Sequence, residues 1–169
     1  MMKSDSKDTI EVIFKRAIEI EYKLAYLYKE FAQLFSHIQD ISIFWKSLTA
    51  DEENHAKTLK DVRKALTHKQ LLSPCDKEIL EKIAGIQRLQ NKVLSKSVKN
   101  LDDAYELAHE LEFSEINAVF KLLATKFVPS EKRKQFVVSE IEQHQQKLTD
   151  FSHNFGDRFW RKKINIHDV

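Results

Sequence analysis

Glu52 and His55 lie three residues apart in LTADEENHAKTL (48–59), a stretch that reads as the middle of a long helix. Residues three apart on a helix share a face, so the carboxylate and the imidazole point the same way. On either side, Ile41, Trp45 and Leu48, then Leu59, Val62 and Leu66, recur at helical spacing and mark one apolar stripe. Glu52 and His55 fall on that stripe, at positions where apolar residues belong. A carboxylate buried without a partner is costly, so the pair calls for a cation or for further polar groups facing it.

The rest of the chain supplies such groups. The first long helix is predicted over about 8–36, with Asp8 or Thr9 as its N-cap. Its stripe of Ile10, Phe14, Ala17, Leu24, Tyr28, Phe31 and Phe35 is interrupted by Glu21. The second, over about 40–67, carries Glu52 and His55. A third, over about 101–127, has Leu101, Tyr105, Ala108, Val119 and Leu122 on its inward register, with Glu112 and Glu115 between them. Val128-Pro129-Ser130 should end that helix, because the residue before proline avoids the helical region. The fourth, over about 131–154, places His144 in the stripe of Val137, Ile141, Leu148, Phe151 and Phe155, and Gly156 is the expected stop before a basic tail at 156–169. Between the second and third, Ser73-Pro74 marks a turn, and Ile79, Leu80, Ile83, Ile86, Leu89, Val93 and Leu94 suggest a modestly amphipathic helix with Asp76 as a candidate N-cap. It carries no chemistry and reads as a crossover connection. The two halves echo each other: Glu21 corresponds to Glu112 and His55 to His144, at nearly equal offsets.

Composition fits an all-α fold. Two Gly and two Pro in 169 residues argue for long helices and against a β-rich fold. A net charge of +2 lacks the basic excess of a dedicated nucleic-acid binder. The lone Cys75 excludes an internal disulfide and a four-cysteine metal site. No run approaches the ~18 apolar residues of a membrane span, and the polar N-terminus does not read as a secretory signal. The expectation is a single cytoplasmic domain over 1–169 that contacts neither membrane nor nucleic acid.

The inward set is therefore Glu21, Glu52, His55, Glu112, Glu115 and His144. Carboxylates and imidazoles converging from four helices form the di-iron carboxylate pattern, in which hard oxygens bridge two divalent ions and imidazoles complete each coordination sphere. At Glu21, EENH (52–55), the E-x-x-E of Glu112 and Glu115, and His144, the chain resembles the rubrerythrin branch of the ferritin-like superfamily, without its rubredoxin module. The resemblance implies a four-helix bundle with a crossover segment between the second and third long helices. It implies one or two iron ions, with manganese or zinc as substitutes, and an oxidoreductase that reduces hydrogen peroxide or dioxygen. Electrons would come from an external donor such as a rubredoxin-type protein, and the chain would form a homodimer. In the family the second acid of E-x-x-E exchanges with a histidine at one iron, a role that falls here on Glu115 opposite His55. One position departs from the pattern. Where the family has Glu three residues before the last histidine, this chain has Ile141, flanked by Glu140 and Glu142. That departure leaves a second reading: a metal-handling or metal-free binding module with a degraded second site.

Overall fold

The computed structural model describes residues 8–159, and side chains to residue 153. The architecture is all-helical: α1 (Ile10–Leu34), α2 (Gln39–Ala65), α3 (His68–Leu71), α4 (Lys77–Leu94), α5 (Leu101–Glu112), α6 (Ile116–Lys126) and α7 (Glu131–Phe159). No strand occurs among the described residues. An isolated backbone bridge joins Thr9 to Pro74. No described helix is long and apolar enough to cross a membrane.

Local chemistry sets most helix ends. The Thr9 hydroxyl accepts the Val12 N–H, Asp76 accepts that of Glu78, and Asn100 accepts that of Asp103. Ser130 accepts the Arg133 N–H at 3.4 Å. Each satisfies a donor that the first helical turn leaves unpaired. Thr67 and Gln70 form a reciprocal capping box around α3, a helical turn absent from the sequence-based expectation.

The most extensive packing is α1 against α2, an antiparallel pair joined by a tight turn. Tyr28, Phe31 and Trp45 are fully buried between them, with the Phe31 and Trp45 rings edge to face at 4.9 Å. Helix α7 lies across the start of α2, where Phe151 stacks on Phe44 at 3.9 Å and packs against Trp45 at 6.0 Å. Helix α4 closes the outer side of α1, its buried Gln90 amide donating to the Ile20 carbonyl at 3.0 Å. The Ser42 hydroxyl, also buried, donates to the Ala32 carbonyl at 2.9 Å and ties the start of α2 to the end of α1. Replacing Ser42 with Ala removes this bond and is expected to lower stability by about 1 kcal/mol, measured as a shift in the urea midpoint with an unchanged slope.

Two expectations need correction. The third long helix is not continuous: α5 ends at Glu112, and α6 begins only at Ile116. Helix α7 does not stop at Gly156 but runs on to Phe159, since one glycine costs a helix only about 1 kcal/mol. The remainder of the expected basic tail, 160–169, lies outside the described residues.

Candidate metal centre

Five of the six inward residues converge. Glu21 from α1, Glu52 and His55 from α2, Glu112 from α5 and His144 from α7 are all buried. They form two groups that could each hold a metal ion: Glu21, Glu52 and His55, and Glu52, Glu112 and His144. Glu52 belongs to both. Its Oε2 lies 3.2 Å from His55 Nδ1, and its Oε1 lies 3.0 Å from His144 Nε2. One carboxylate thus turns each of its oxygens to a different imidazole. Glu21 Oε2 stands 3.6 Å from His55 Nδ1, and Glu112 Oε2 stands 3.0 Å from His144 Nε2.

Apart from the wider Glu21–His55 pair, these spacings fit ligand sets. Ligand atoms ~2.1 Å from one ion, at angles between square and tetrahedral, lie ~3.0–3.4 Å apart. Hydrogen bonding accounts less well for the second group. Although His144 Nε2 and Glu52 Oε1 are fully buried and 3.0 Å apart, neither has an aligned hydrogen-bond partner. The nitrogen faces the space between two carboxylate oxygens, where a cation could take the place of its proton.

Neighbouring groups fix the cluster. Asp51 Oδ2 lies 3.0 Å from His144 Nδ1, and accepting that N–H leaves Nε2 as the inward nitrogen, the one that could ligate a metal. Asp51 is itself held by the Lys147 ammonium at 2.7 and 2.9 Å. The Tyr28 hydroxyl donates to Glu112 Oε1, and the Asn117 amide donates to Glu112 Oε2 at 3.1 Å. Tyr28 is therefore both core and positioning residue. The Tyr105 hydroxyl reaches the Leu148 carbonyl at 3.4 Å. Phe120 stacks on His55 at 4.3 Å and shields that imidazole from water. Removing the Asp51 charge with Asp51→Asn is expected to weaken metal binding about 10–100-fold, read by calorimetric titration, while the fold persists.

The buried charges shape one another. Burial pushes the Glu21 carboxyl up to about 8, against the opposing pull of His55. For Glu52 burial acts in the same direction, but the His144 and His55 imidazoliums outweigh it and hold the carboxyl well below its ordinary range. Burial disfavours the charged form of His55, yet Glu52 and Glu21 raise it to about 10. Burial opposes the charged form of His144 too, but Glu112, Glu52 and Asp51 outweigh it and raise the imidazole. Burial and the adjacent Glu112 and Glu52 carboxylates keep the Tyr28 hydroxyl protonated, so it remains a donor.

Glu115 is not part of the cluster. Its side chain is 59% exposed and lies 3.6 Å from the Lys82 ammonium of α4. The helix break at residues 113–115 rotates it away from Glu112. At that break the Ser114 hydroxyl donates to the Leu111 carbonyl at 2.5 Å, and the Asn117 amide caps the Glu112 carbonyl at 2.8 Å. The second acid of E-x-x-E therefore sits at the edge of α6, turned to solvent.

Ile141 is buried on α7. Asp51 and Asn117 carried no signal in the sequence pattern, because neither shares the inward register. Comparison with family models, with curated proteins and with solved structures gives no match.

Proposed function

We propose that the chain is a ferritin-like four-helix bundle of rubrerythrin type, binding two divalent ions for oxidoreductase chemistry. In this reading α1, α2, the α5–α6 pair and α7 are the four rods, and α3–α4 is the crossover. The observation that carries it is Glu52, whose two oxygens face the two imidazoles. Glu21, His55 and one Glu52 oxygen would hold the first ion. Glu112, His144 and the other Glu52 oxygen would hold the second. With iron bound, the chemistry supplied there would be reduction of hydrogen peroxide or dioxygen, with electrons returned by a separate donor protein.

The chain's own groups do the rest. Tyr28 and Asn117 hold Glu112 in place, and Asp51 sets the tautomer of His144. The Phe120 ring and the aromatic layer around Trp45 exclude water from the inner side. Exclusion of water strengthens every charge interaction inside.

Iron loaded without oxygen and counted per chain should give two ions, and added peroxide should oxidise them stoichiometrically. Absence of bound iron or manganese would remove the reading. Ile141, apolar where the resemblance expects a bridging carboxylate, favours a second reading as a metal-handling module. In that case the ions bind, but peroxide is not consumed in repeated cycles when a reductant is supplied.

A further inference from the structure

The two triads leave a charge mismatch. Three buried carboxylates, Glu21, Glu52 and Glu112, face what would be two divalent ions. Four positive charges against three negative leave a net positive charge inside the protein, where desolvation is costly. Asp51 does not correct this, because the Lys147 ammonium already neutralises it at 2.7 Å. A fourth carboxylate is missing, and Ile141 occupies the position from which the resemblance would supply it.

A cavity of about 60 Å³ opens between α2 and α7 beside the imidazoles. Asp51, Asn54 and His55 line it from α2; Glu140, Gln143, His144 and Lys147 line it from α7. Both sets are helical stripes, and the two helices run antiparallel. Phe151 meets Phe44 and Trp45, and His144 meets Asp51 and Glu52. One turn further along, Glu140 stands on the side of His55. It shares a face with His144, four residues on. Glu140 is half-buried and, among the described residues, has neither a hydrogen bond nor an ion pair. Every other charged side chain lining the cavity is paired with one or more neighbours.

We propose that Glu140 is a ligand to the ion held by Glu21, Glu52 and His55, closing on it through this cavity in place of the carboxylate lost at Ile141. The inference rests on the metal-binding reading above. It restores four carboxylates to two divalent ions and brings the Glu21–His55 ion to four protein ligands. It also makes the mouth of the cavity part of the site rather than a passive opening.

The test is manganese(II) binding to the full chain, followed by calorimetry and by metal content after gel filtration. It compares the native protein with Glu140→Gln, and with Glu142→Gln as the exposed control. The expected result is two ions in the native protein and in the control. In Glu140→Gln one ion should weaken by at least about 10–100-fold, the range of a lost supporting residue, while the other changes little. Melting of the metal-free variant should match that of the native protein, because Glu140 has no partner to lose. Unchanged affinity for both ions in Glu140→Gln would overturn the inference and leave the metal-binding reading intact. Equal weakening of both ions would also overturn it, since loss of a distant charge acts on both alike. If the native protein binds no manganese, both fall together.

Discussion

Glu52→Gln is expected to abolish binding of both ions at once, although it changes one functional group. The carboxylate is 1% exposed, and each oxygen faces a different imidazole at 3.0 or 3.2 Å. An amide keeps the shape but turns an NH2 group toward one imidazole and loses the negative charge. It leaves one ion a ligand short, offers the other only a neutral carbonyl oxygen, and makes the cluster one charge more positive. The substitution also damages the metal-free protein. Glu52 is the acid between two protonated histidines, and breaking a buried pair by removing one partner costs about 3–5 kcal/mol. Glu53→Gln, one residue along and exposed, should stay within about 0.5 kcal/mol of the native protein and keep both ions. Metal content and a denaturant titration of the two variants separate these effects. Retention of either ion by Glu52→Gln would show that the two groups do not share that residue.

The metal-free and metal-loaded proteins should respond to pH in opposite senses. His55 is raised to about 10 in the folded protein from an ordinary 6.5. Its contribution to stability is therefore complete below about 6.5 and is lost as pH rises toward 10. Glu21 is a carboxyl whose value is raised, to about 8 from 4.5, because burial penalises its charge. Its penalty is absent below about 4.5 and complete above 8. Both groups make the metal-free protein less stable as pH rises from about 5 to 10. Glu52, held low, contributes stability that is present above 4.5 and lost only in acid. Bound ions displace the protons on His55 and Glu21, so binding strengthens over the same range. At pH 8, with each site at about 100 times its Kd, the two ions should add about 5 kcal/mol, or about 10–20 °C in melting temperature. At pH 5 that increment should largely vanish. Thermal melts with manganese or with a chelator across pH 5 to 9 check this. Metal-free stability that rises from pH 6 to 9 would contradict it.

Much of this arrangement was legible in the sequence because it is helical and local. Capping residues marked the starts of α1 and α4 at Thr9 and Asp76. Polar interruptions of apolar stripes identified Glu21, Glu52, His55, Glu112 and His144, since a buried stripe tolerates few reasons for an acid. Glu115 failed for a specific reason. Its place on the stripe assumed an unbroken helix, and three residues of turn after Glu112 void that register. The Asn117 amide, which satisfies the freed Glu112 carbonyl, is a tertiary detail with no periodic signature. Asp51 was hidden for a similar reason. It sits beside Glu52 on α2 but off its face, and only the crossing of α7 brings His144 and Lys147 to it. Gly156 read as a stop because glycine ends many helices, yet α7 passes through it.

The central claim is that two ions flank Glu52. Crystals grown from manganese-loaded protein, with data collected at a wavelength where manganese scatters anomalously, test it directly. Two peaks are expected, one between Glu21 and His55 and one between Glu112 and His144, each with a Glu52 oxygen within coordination distance. A map without anomalous density at the Glu52 carboxylate, from protein saturated with metal, would contradict it.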